Sequence, residues 1–135
     1  MADTTTVRLR LDEASQEQIE AVLLTAHRLR LEETPLLGSE PIHAGDIVEV
    51  DRLPDGTYQF LRVIDRAPMR HYAWVVPEGW HDSPDRDAYV AKVEAAGGRW
   101  EQTFGGLLRV HVPLDSAFDA EAELDRYLGS DWAEA

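Results

Sequence analysis

The sequence predicts an α+β fold in which antiparallel strands and a hairpin precede a β-α-β-β-α unit. Three observations carry that expectation. Alternating apolar and polar stretches flank Pro54-Asp55-Gly56, as in a hairpin. A capped helical stripe starts at Ser83-Pro84-Asp85 and stops at Gly97-Gly98. A second alternating pair, residues 99–104 and 107–112, leads into a last helical stripe that Gly129 ends.

From the N-terminus, residues 5–11 alternate apolar and basic side chains, as a half-buried strand does. Residues 12–24 read two ways. Ser15 with Gln18 has the spacing of a capping box, while Ala21-Val22-Leu23-Leu24 suits a strand equally well. Residues 26–32 look extended, and Pro35 with Gly38 breaks the run. The hairpin pairs residues 46–53 with 57–64, Leu53 meeting Thr57 and Val50 meeting Phe60. Proline presets the first turn position, and Gly56 takes the left-handed bulge conformation after it. Val48, Val50, Tyr58 and Phe60 then share one face, with Ile47, Leu61 and Val63 on the other.

Residues 71–76 form the next strand, stopped by Pro77. In the helix after Ser83, Tyr89, Val93 and Ala96 make the apolar stripe. In the second hairpin, only an odd loop segregates the faces. Trp100, Leu108, Val110 and Val112 fall on one side, and Arg99, Glu101, Thr103, Arg109 and His111 on the other. Phe104-Gly105-Gly106 is the expected turn, with Gly106 in the bulge position. Ser116 is expected to cap the last helix, whose inward stripe is Ala117, Ala120, Leu124, Tyr127 and Leu128. The tail is thus a partial ferredoxin-like unit that ends without a further strand, or borrows one from the N-terminal half.

With 135 residues, the chain reads as a single α+β domain, 1–135, with an acidic helix and tail over 115–135. At 44% hydrophobic and 29% charged residues, the composition is that of a globular protein rather than a disordered one. There is no cysteine, which excludes disulfides, thiolate nucleophiles and cysteine-held metals. A polar, threonine-rich start reads as carrying no secretory signal, and no apolar run reaches membrane-spanning length. These features lead us to expect a cytoplasmic protein.

The net charge of −13 repels phosphates and anionic lipids, so neither nucleic acid nor membrane is an expected partner. A basic protein would be attracted. The segment 115–134 alone holds seven acids against Arg126. Its Glu121, Asp125 and Trp132 are the candidate partner contacts, and Trp132 is a candidate anchor for a homodimer if the protein is not a monomer.

The stretches Leu29-Arg30-Leu31-Glu32-Glu33-Thr34-Pro35, Gly45-Asp46-Ile47-Val48-Glu49-Val50 and Phe60-Leu61-Arg62-Val63-Ile64 stand ahead of the β-α-β-β-α tail. Through them the chain resembles an uncharacterised bacterial family of small proteins, a domain of unknown function. The resemblance spans roughly residues 20–128 and implies a fold without assigning catalytic residues. Asp65-Arg66-Ala67-Pro68-Met69-Arg70 replaces the small polar turn of that pattern.

Five histidines show no close ligand spacing, so no metal is expected. Nucleotide-cradling glycine motifs and a serine nucleophile elbow are absent, so no cofactor is expected either. Two polar groupings remain. Glu101 faces Arg109 or His111 across the second hairpin, where a carboxylate beside an imidazole can act as a general base. Arg70-His71 and Trp80-His81 stand at the ends of one strand and the next helix, where ligand sites gather. The candidate catalytic residues are therefore His71, His111, Glu101 and Arg109, and the candidate ligand residues Arg70, Trp74, Trp80 and His81.

Three functions follow as expectations. The first is an acidic, non-catalytic accessory protein that binds a basic protein. The second is a small cofactor-free enzyme using a histidine base, a carboxylate orienter and an arginine anion clamp. The third is a carrier with a tryptophan-lined pocket.

Overall fold

In the computed structural model, residues 3–37, 41–103 and 106–135 are described. The fold is α+β, and the chain divides into two compact units, Met1–Ala67 and Pro68–Ala135, where the sequence reads as one continuous domain.

The first unit is a closed five-stranded barrel of β1 (Thr4–Arg10), β2 (Gln16–Thr25), β3 (Arg28–Leu31), β4 (Ile47–Arg52) and β5 (Tyr58–Asp65). Consecutive strands pair antiparallel, and β1 closes on β5 through a short parallel contact at Leu9–Tyr58 and Arg10–Gln59. The ambiguous segment is therefore strand, and Ser15 caps no helix. It lies instead in a tight turn, its carbonyl accepting from the Leu11 amide, while Asp12 accepts from Ala14. Pairing on both sides settles β2, because Ile19 and Ala21 alternate into the barrel core.

The Pro54-Asp55-Gly56 hairpin has the expected register, with Val50 opposite Phe60 and Gly56 at φ 88°. The Thr57 backbone N–H donates to the Asp55 carboxylate at 2.9 Å and holds that carboxyl below its usual range. One expectation needs correction here. Two bulges in β5 set Val48 opposite Val63 and Glu49 opposite Arg62, so Val63 packs against the core instead of lying on the outer face. Leu61 is left exposed, so the hairpin's outer face is not covered there.

Asp46 is wholly buried at the entrance to β4. Its carboxylate accepts from the His43 amide at 3.0 Å and from the Ala67 amide at 2.8 Å. The Gly-Asp pair is thus a structural staple: Gly45, at φ 92°, turns the chain, and Asp46 ties the turn to the end of β5.

The second unit runs β6 (Met69–Val75), a 3-10 turn (Trp80–Asp82), α1 (Pro84–Ala95), β7 (Arg99–Thr103), β8 (Leu107–Pro113), α2 (Ala120–Leu128) and β9 (Ala133–Glu134). The sheet order is β7-β8-β6-β9, every neighbouring pair antiparallel. The chain does not end without a strand, since β9 pairs Glu134 with Trp74 and Ala133 with Val75. The Ser83 hydroxyl caps α1, accepting from the Arg86 amide. The last helix is capped by Asp119, which accepts from Ala122, and not by Ser116, which bonds the Phe118 amide one turn too early. Phe118 packs on the core where Ala117 was expected to.

Thr103 pairs with Leu107, so the second hairpin has the odd register, with Trp100 directly opposite Val110. Phe104 and Gly105 of the expected turn lie outside the described residues. Gly106 does not take the left-handed conformation. One sheet face carries Trp74, Leu108, Val110 and Val112 into a core with Tyr89, Val93 and Leu124. In that core the Tyr89 hydroxyl donates to the Ala120 carbonyl at 2.9 Å, and burial pushes the phenol well above its usual value.

The raised phenol has a consequence for alkaline stability. In the unfolded chain the phenol ionises near its ordinary value of 10.0; in the folded chain it resists. Its contribution is complete below about pH 10 and declines as the pH rises further. Tyr89→Phe should therefore cost about 1 kcal/mol at pH 8, and that deficit should narrow above pH 10 in urea titrations. A deficit independent of pH would contradict this.

Candidate functional site

Opposite the packed face, alternation places Arg99, Glu101, Arg109, His111 and His71 together. The register puts His71 directly beside His111 on adjacent strands, and Arg99 on the other side of His111. Side chains at such positions start about 5 Å apart. Glu101 sits two residues along β7 from Arg99, a diagonal that a glutamate spans.

The outcome is a continuous hydrogen-bonded run across three strands. His111 Nε2 meets Glu101 Oε2 at 2.7 Å, and His111 Nδ1 meets His71 Nδ1 at 2.8 Å. His111 is 1% exposed, while Glu101 and His71 are half-buried. An ionised carboxylate only accepts, so the 2.7 Å contact sets the proton on His111 Nε2. In neutral His111 Nδ1 then accepts, and His71 Nδ1 donates. With His111 doubly protonated the second bond reverses, and Glu101 faces a cation. Either arrangement keeps both contacts hydrogen-bonded, so the geometry is compatible with a proton on either side of His111.

His71 also lines an open cleft of about 310 Å³ with Tyr72, Trp74, Glu121 and Glu134. The lining includes no arginine. Arg109 stands opposite Glu101 on one side and Ala73 on the other, and its Nε is buried without a partner among the described residues.

The structure thus joins His71, His111 and Glu101, which the sequence had placed in two separate groupings. The remaining ligand candidates scatter. Arg70 donates to the Ser116 and Phe118 carbonyls at 3.0 and 3.1 Å, bracing the loop before α2. Trp74 and Trp80 are core residues, and His81 pairs with Asp82 at 3.3 Å. Trp100 donates to Glu94 at 2.9 Å and Trp132 to Asp125 at 2.6 Å.

Of the candidate partner contacts, Trp132 is half-buried, its ring packing edge-on to Trp74 at 5.9 Å and its Nε1 donating to Asp125 at 2.6 Å. Of the segment's other acids, Asp119 caps α2 and Glu123 pairs with Lys92 at 3.0 Å. Among the described residues, no cluster of three or more histidine or acidic groups could hold a metal ion, and no helix is long and apolar enough to cross a membrane.

No protein-family model matches this chain, and no curated protein matches it. The chain is similar to a solved structure described as a novel crystal structure of a hypothetical protein from Neisseria gonorrhoeae. The TM-score is 0.62 at 21% identity, over 100% of this chain and 94% of that one. At that identity the likeness carries the fold alone, and it agrees with an uncharacterised family.

Proposed function

We propose that the second unit is a small cofactor-free enzyme in which Glu101 and His111 drive His71 as an acid–base group. The single observation behind this reading is the unbroken Glu101–His111–His71 run, ending on a residue that lines a cleft. A proton taken up by His71 pushes its Nδ1 proton toward His111, and the carboxylate balances the charge. General base catalysis contributes about 10²–10⁴-fold to a rate.

Two measurements test it. Nitrogen-15 spectra of the neutral protein should show His111 protonated at Nε2 and His71 at Nδ1, a pattern that Glu101→Gln disturbs. Hydrolysis of p-nitrophenyl esters, which a relayed imidazole accelerates, should fall at least tenfold in His71→Ala. The opposite tautomers, or unchanged hydrolysis, would sink the proposal.

A second reading keeps the basic protein partner, supported by the net charge of −13 and by exposed Glu121. A lysine-rich peptide should then perturb α2 amides at low salt and release as salt rises. Perturbation elsewhere, or none, would remove this reading. The second unit's strand order also supports a complete ferredoxin-like split β-α-β arrangement, and the cysteine-free sequence supports a cytoplasmic location.

A further inference from the structure

The barrel of the first unit closes along a short seam, and the seam leaves a cavity. β1 runs beside β5 for only two pairs, Leu9–Tyr58 and Arg10–Gln59. Ahead of Leu9 the partner strand gives way to the Pro54-Asp55-Gly56 turn, and a pocket of about 250 Å³ opens between that turn, β1 and β2. Leu9 and Tyr58 both point into the core, so alternation sends Arg8 and Thr57 to the outer face, where Gln18 stands directly opposite Arg8. All three line the pocket, together with Asp55 of the turn. Arg8 and Asp55 are the charged residues of that lining, yet they form no ion pair, and among the described residues Arg8 bonds to no other side chain. Asp55 Oδ1 accepts from the Thr57 amide at 2.9 Å, which fixes the carboxylate beside the Thr57 side chain. Thr57 itself is 1% exposed, and its Oγ1 is buried without a hydrogen-bond partner. A dry, unmatched hydroxyl is a cost that folds avoid, and this one belongs to the pocket wall.

From this we infer that the pocket binds a small α-amino acid as its zwitterion. The Arg8 guanidinium receives the carboxylate, Asp55 receives the ammonium, and the Thr57 hydroxyl donates to the carboxylate between them. Opposed charges on the walls decide the class. A simple anion would meet Asp55 and a simple cation would meet Arg8, whereas a zwitterion satisfies both at once. The pocket also limits the size of the ligand. Val7 lines it, but the Val7 side chain is spent in the barrel core, so no apolar wall awaits a large side chain. Glycine and serine fit; leucine and phenylalanine do not. The inference goes beyond the relay reading, which concerns the second unit, and neither rests on the other.

Glycine, acetate and methylammonium are suitable probes for the full chain by amide chemical shifts at constant ionic strength, since glycine carries both charges and the others one each. Glycine should shift residues 6–8, 18 and 55–57 in a saturable way, with acetate and methylammonium each about tenfold weaker or more. Arg8→Gln and Asp55→Asn should each weaken glycine about tenfold. Asparagine keeps an acceptor for the Thr57 amide, and the unperturbed remainder of each spectrum verifies the fold. Thr57→Val separates binding from folding. It should weaken glycine about threefold or more and yet melt no lower than wild type, because the hydroxyl it removes has no partner in the chain. No saturable shift, equal binding of acetate or methylammonium, glycine binding unchanged in any of the three variants, or a lower melting temperature for Thr57→Val would each overturn the assignment.

Discussion

Alanine at Gly98 should destabilise the second unit by about 1–3 kcal/mol, at the upper end of that range. A Cβ there would lie 2.6 Å from the His111 carbonyl oxygen and 2.9 Å from Val93 Cγ1. Real structures do not tolerate such contacts, and the obstacle is backbone, which cannot rotate away as a side chain does. Either α1 lifts from the sheet or β8 shifts at the residue that centres the relay. All four tryptophans lie in this unit, so their fluorescence during thermal unfolding reads the effect directly. The midpoint should fall by roughly 4–8 °C per kcal/mol lost, and the His111–Glu101 tautomer signature should change with it. Gly97→Ala is the control. Its φ is 81° and its Cβ would have ordinary clearance, 3.5 Å from Pro113 Cγ, so it should cost about 1–2 kcal/mol through backbone strain and leave the relay intact. Equal stability of Gly98→Ala and wild type would refute the close-approach argument.

Asp46→Ala should cost the barrel about 2–4 kcal/mol. The substitution strips an acceptor from the amides of His43 and Ala67, and each such loss in a dry position costs about 1–3 kcal/mol. The nearby arginine is not the cause. Arg66 stands 3.8 Å from the carboxylate and is itself exposed, so Arg66→Ala should change stability by less than about 1 kcal/mol. Amide hydrogen exchange at Leu29, Val48 and Phe60 reads the barrel specifically. Comparable losses in the two variants would mean that the ion pair, not the buried amide bonds, holds the β4 entrance.

Both positions show how far local pattern reaches. Gly45-Asp46 and Gly97-Gly98 are visible as turn signals, but which glycine is held by space and which by conformation depends on what packs above it. The hairpin at Gly56 and the face shared by Trp100 and Val110 were legible because neighbours in sequence pair there and a slip would expose the core. The bulges that turn Val63 inward were not, since an extra residue in one strand leaves no fixed residue signal. Residues 12–24 stayed ambiguous for a related reason. Their apolar run satisfies helix and strand alike until partners on both sides choose.

The candidate site divides along the same line. Glu101 near His111 follows from one hairpin register. His71 joins them only because β6 pairs with β8 across an intervening helix and strand. By itself the sequence determined the α+β class, the hairpins with their inward faces, the helix α1 with its cap, and the acidic charge. Tertiary structure alone decided the barrel closure, the last strand, the fate of Trp132 and the meeting of two histidines forty residues apart. Periodicity and capping act between neighbours along the chain, whereas strand order is chosen by the burial of whole faces, which no local window contains.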